Sequence, residues 1–144
     1  MSVYSVALGR VSTKEQRDSG SLTRQEKNVY LKSEKLQAPV IRYWDEDVSS
    51  KIGNNFRRRD LVAIYDFCKL NRSVKYLIID EVDRFMRDME VMFYWRVKLR
   101  EELGVRQIFA DKEELNEDTS QSRLLLALDA FKAEASNEER QRKS

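Results

Sequence analysis

A chain of 144 residues that is 41% hydrophobic and 10% aromatic is long enough to bury the core of one domain. Charged residues make up 36%, yet the net charge is only +2. Any contact with nucleic acid must then come from local clusters, such as the basic runs at 56–60 and 140–144. With no histidine and a single cysteine, Cys68, the chain cannot build a serine–histidine–aspartate triad, a cysteine–histidine pair, an internal disulfide or a histidine- or cysteine-based zinc site. No leader pattern and no apolar run of membrane-spanning length is read, so the expectation is a cytoplasmic domain with no membrane partner.

The apolar run 3–9 predicts a first strand, ending at Gly9 and followed by Arg10, Val11 and Ser12. Residues 21–37 place Leu22, Val29, Leu31 and Leu36 at helical spacing, with Ser21 as candidate N-cap. Pro39 marks a break before a second strand at 40–44. Residues 59–70 set Leu61, Ile64, Tyr65 and Cys68 on one helical face. The most apolar run, 74–80, predicts a central strand. A further helix, 88–103, carries Val91, Met92, Trp95 and Leu99 on one face, with Gly104 as C-cap before a fourth strand at 105–110. Strands alternating with helices predict an α/β fold with a mostly parallel sheet of four to five strands flanked by helices. Ligands in such sheets bind at the carboxyl ends of the strands. Residues 120–144 read as one long helix whose second half has too little apolar surface to pack on its own domain. It either continues into a partner subunit, nucleic acid or a following domain, or ends in solvent. The organisation expected is a domain over 1–119 and the start of that helix over 120–144.

The strand ends therefore hold the candidate chemistry. The first supplies Arg10 and Ser12, the second the segment 45–50, and the third Asp83, Arg84 and Arg87. In a helical turn Arg84 and Arg87 share a face. Taken singly, these arginines have acidic neighbours to pair with, Asp80 or Asp88 for Arg84 and Glu15 for Arg10. Taken together around a serine, they point to phosphate, the anion that best matches several planar forks. Positive charge also lowers the cost of ionising the Ser12 hydroxyl, so attack on a phosphodiester needs no imidazole. Two rivals are weaker. The segment 76–84 looks like a Walker B strand, but none of the glycines at 9, 20, 53 and 104 is followed by lysine. Receiver-type and Toprim-type acidic sites lack an acid where the first strand ends in Gly9-Arg10.

In order along the chain, GRVSTKEQ (9–16), SLTRQ (21–25), DEDVSS (45–50), RRDL (58–61), DRFMRD (83–88) and the segment from Thr119 onward resemble the signature segments of the serine site-specific recombinases, the group of resolvases, invertases and large serine integrases. The resemblance covers essentially the whole chain. It implies a resolvase-like fold and makes Ser12 the nucleophile that joins to a DNA 5′-phosphate and frees a 3′-hydroxyl. It places Arg10, Arg84 and Arg87 on the scissile phosphate, with Arg58 reaching in from the second loop. Asp83 becomes a proton carrier or an orienter of arginines, and Gln16, Gln25 and Ser49 are supporting residues. The two glutamines serve equally well as helix-start caps, and Ser49 as a turn residue. The resemblance implies no metal and no nucleotide cofactor. The implied partners are double-stranded DNA and further copies of the chain, as a dimer and, in the synaptic complex, a tetramer assembled through the long helix. Leu8 stands where the family has tyrosine, and Asp47, Ser50 and Ser122 stand where it has glycine. The long gap between Ser12 and Gln25 resembles the large integrase and transposon enzymes. No base-reading module is read in the chain, so the expectation is the catalytic domain of a longer recombinase. The competing expectation is a non-enzymatic oligomerisation or regulatory module of the same fold.

Overall fold

The structure, a computed structural model, describes residues 2–11, 14–45 and 58–112, with only the backbone for Lys14 and Arg17. Ser12, Ser49 and the helix expected at 120–144 lie outside these residues.

Among the described residues four strands form one sheet: β1 (Tyr4–Gly9), β2 (Val40–Asp45), β3 (Val74–Ile79) and β4 (Arg106–Phe109). Their order is β2-β1-β3-β4 and every pairing is parallel. The two central strands have almost unbroken apolar sequences because both of their faces are covered. Val6, Ala7, Leu8, Leu77, Ile78 and Ile79 have no solvent exposure. β2, at one edge, is far more open. Its Arg42 lies over the rings of Trp44 and Phe67, at 4.7 and 5.5 Å, and this charged cover blunts an edge strand.

Among the described residues five helices accompany the sheet: α1 (Lys14–Asp18), α2 (Arg24–Lys35), α3 (Arg59–Leu70), α4 (Val82–Arg87) and α5 (Met89–Leu103). Val29 and Leu36 from the α2 segment pack with Ala7, Val40, Tyr43, Ile78 and Ala110 on one face of the sheet. α3 and α5 pack on each other, α3 also against β2 and α5 also against β4. Phe85 of α4 meets Phe109 edge-on at 5.4 Å. Cys68 is buried in α3, where burial pushes its thiol up to about 11, so it offers no thiolate nucleophile at neutral pH.

Two boundaries differ from the sequence expectation for local reasons. α2 is capped by Thr23, not Ser21. The Thr23 hydroxyl accepts the Glu26 N–H at 3.1 Å while the Glu26 carboxylate accepts the Thr23 N–H at 3.3 Å. Three residues after Ser21 stands Arg24, which cannot return such a bond, so the reciprocal box wins. The short polar helix α1 has no apolar period to announce it. Gly104 does end α5 as expected, in the left-handed region at φ 68°, and Val105 donates back to the Leu99 carbonyl at 3.1 Å.

Arg96 of α5 is 8% exposed and lies 5.9 Å from the Phe109 ring. Among the described residues one of its terminal nitrogens has no hydrogen-bond partner, nor does either polar atom of the buried Gln107 side chain. Burial, and secondarily the charges of Arg100 and Arg106, push the Arg96 guanidinium down to about 10. A buried charge with an unsatisfied nitrogen costs free energy that an apolar chain of similar size does not. Arg96→Met is therefore expected to raise stability by about 1–3 kcal/mol. In urea unfolding the midpoint should rise with an unchanged slope.

Candidate active site

β1 connects outward to β2 on one side and β3 to β4 on the other, so a crevice opens at the carboxyl ends of the two central strands. Asp80, the residue just past β3, fills its base without any solvent exposure. Its N–H donates to the Leu8 carbonyl at 3.2 Å. One carboxylate oxygen accepts the Arg10 main-chain N–H at 2.9 Å, and the other accepts Nε of Arg84 from α4. Gly9 is required by this approach, because a Cβ at position 9 would overlap the Asp80 carboxyl group. Burial foremost, with the charges of Glu81 and Asp111, raises Asp80 to about 6 against the pull of the Arg10 and Glu81 N–H groups.

Arg84 is 5% exposed. Burial holds its guanidinium below the ordinary range, and the charges of Arg87 and then Arg10 push it the same way. Of the three arginines singled out in the sequence, Arg10 and Arg87 thus both act on Arg84 through space. Of the alternatives, the Arg84–Asp80 pair is present. Arg10 and Arg87 point their charges at no acid among the described residues, and both are exposed. Asp83 is also exposed, on the first turn of α4.

The other side of the crevice comes from β2. The Tyr43 hydroxyl donates to the Arg10 carbonyl at 3.4 Å. Burial, then the charges of Asp80 and Glu26, keep this phenol far above its ordinary range, so it stays a neutral donor. An Asp45 carboxylate oxygen accepts the Val11 N–H at a long 3.4 Å. The two residues that lead into Ser12 are therefore held from both neighbouring strands. Gln25 donates to the Glu81 carboxylate at 3.0 Å and ties α2 to the segment after β3. Capping of α2 falls to Thr23 with Glu26. Gln16 is exposed in α1, where its carbonyl accepts the Ser21 N–H at 2.7 Å.

Arg58 occupies a different setting. It sits at the N-cap of α3, 4% exposed, with two nitrogens on the Asp60 carboxylate at 2.8–3.1 Å and a third 3.6 Å from Asp88. Sequence reasoning missed Tyr43, which gave no signal; Asp45 was included only as part of the segment 45–50, and Asp80 only as an ion-pair partner for Arg84, not as the group that also holds the Arg10 N–H. Among the described residues no cluster of three acidic or thiol ligands could hold a metal ion, and no helix is long and apolar enough to cross a membrane.

A profile of the resolvase N-terminal domain matches residues 5–144. The chain belongs to the resolvase family. This resolvase domain is of the recombinase catalytic type. In fold it is similar to the C-terminal catalytic domain of ISC1926 TnpA, an IS607-like serine recombinase, with a TM-score of 0.50 and 20% identity over 90% of this chain and 80% of that one. No curated protein sequence matches it.

Proposed function

We propose that this resolvase domain cleaves and rejoins double-stranded DNA through a covalent phosphoserine intermediate on Ser12. The observation that carries the reading is the gathering of Arg10, Arg84 and Arg87 at the switch point of the sheet, two residues from Ser12, with two of the three guanidiniums unanswered by any described acid. Three like charges so placed repel one another until an anion enters, and a phosphodiester matches their forks.

In the forward step the Ser12 oxygen attacks phosphorus. The oxygen–phosphorus bond forms as the bond to the 3′-oxygen breaks. The serine proton is lost to solvent, and the leaving 3′-oxygen takes one up, with the exposed Asp83 as its carrier. The arginines stabilise charge on the non-bridging oxygens. The 5′-phosphoserine ester retains the energy of the broken bond, so the reverse attack by a 3′-hydroxyl needs no nucleotide or metal. Gln25, through Glu81, and Gln16 and Ser49 support this arrangement. Arg58 belongs to the frame beneath it, through Asp60 and Asp88. Cutting two duplexes calls for several copies of the chain, and residues 120–144 are the segment we assign to that assembly and to DNA.

The test is detection of the adduct. The protein, in chelator, is incubated with DNA carrying its recombination site, and the DNA-linked peptide is mapped by mass spectrometry. A 5′-phosphate ester on Ser12, absent in Ser12→Ala, is the expected result. An adduct that persists in Ser12→Ala would remove Ser12 from the role.

A further inference from the structure

Resting on that reading, we infer that Asp80 is a positioning residue, a buried carboxylate that sets Arg10 and Arg84 as one phosphate clamp and does so only when ionised. Arg10 comes from the end of β1 and Arg84 from α4, two elements with no covalent reason to stay in register. Asp80 joins them, one oxygen on the Arg10 N–H at 2.9 Å and the other on Arg84 Nε. Gly9 gives up its side chain to admit this carboxyl group. A residue serving packing alone would not need a charge at zero exposure, where ionisation is opposed by burial.

The groups that face Asp80 come from every neighbouring element. They are Arg10 after β1, Tyr43 of β2, its own neighbour Glu81, Arg84 of α4, and Asp111 after β4. Burial first, then the acids Glu81 and Asp111, favour the protonated form, and the Arg10 and Glu81 N–H groups favour the ionised one. The balance places its titration at about 6. Protonation removes one acceptor and the ion pair together, so the link between Arg10 and Arg84 is lost and the clamp loosens as pH falls through that value.

Nitrogen-15 NMR of the arginine Nε–H groups tests this on the intact chain without a recombination site. The probe is dimethyl phosphate, a phosphodiester that keeps one negative charge across the range. In the wild type at pH 7.5 the Arg10, Arg84 and Arg87 signals should shift together. Affinity should then fall roughly tenfold per pH unit below about 6, as a single ionisation requires. Asp80→Asn should bind at least fivefold more weakly at pH 7.5 and show no step near pH 6. A wild-type affinity that is flat from pH 5 to 7.5 overturns the inference without any variant, while leaving the phosphate site standing. No response of the wild-type arginines at pH 7.5 overturns the phosphate site itself, and the inference with it. The Ser12 adduct is read independently of both.

Discussion

Arg84→Ala is expected to reduce formation of the Ser12 adduct by about 10²–10³-fold, the usual loss when one charge-stabilising donor is removed from a reacting centre. The same change destabilises the fold, because Asp80 has no solvent exposure and loses its ion-pair partner. Removing one member of a buried pair costs about 3–5 kcal/mol when the other stays charged. Asp80 has an escape, since it already titrates at about 6, above the 3.8 of an exposed aspartate, and without Arg84 its folded pKa rises further. A folded pKa above the unfolded one gives stability that is present at low pH and lost as pH rises through the folded value. The penalty of Arg84→Ala should therefore be small near pH 5 and grow toward pH 8. Thermal unfolding at the two pH values reads this directly. Arg84→Lys keeps the charge but not the fork, so it should recover most of the stability and little of the activity.

Arg58→Ala is the second large effect and has a different signature. Arg58 and Asp60 are 4% and 7% exposed, and their bidentate pair closes the start of α3. Alanine leaves the Asp60 carboxylate buried with only the Leu61 N–H at 2.8 Å as a described partner. A loss of about 3–5 kcal/mol is expected, a large part of the stability of a small domain. Replacing both partners together, Arg58→Met with Asp60→Leu, should be close to neutral, because it removes the uncompensated charge along with the pair. Adduct formation per folded molecule should change far less than after Arg84→Ala. A double-mutant cycle in urea, with adduct yield normalised to folded protein, separates the two roles.

The parts of this structure that follow a period were legible in the sequence. Residues 74–80 are apolar enough to be buried on both faces, and β3 occupies the centre beside β1. Val91, Met92, Trp95 and Leu99 recur at helical spacing and all face the core in α5. Arg84 and Arg87 were legible for the same reason, since spacing and strand-end position put them on one turn. What escaped depends on pairings distant in sequence. Nothing in the neighbourhood of Arg10 reveals that its N–H will meet a carboxylate seventy residues away. Nor does a tyrosine inside β2 reveal that its hydroxyl will reach the Arg10 carbonyl. The resemblance sends Arg58 toward the phosphate, and only folding shows that Asp60, two residues on, turns back to hold it.

Gly9 and Asp80 also limit how this chain can change. The space that a side chain at position 9 would need is already taken by the carboxyl group at position 80. Any residue larger than glycine at 9 therefore has to arrive together with a shorter or differently directed residue at 80. That second change removes the link between Arg10 and Arg84. The two positions are open only to paired substitution, and a pair that fits sterically must find another way to align the arginines. Selection of active variants from a library randomised at both sites should return coupled solutions rather than independent ones.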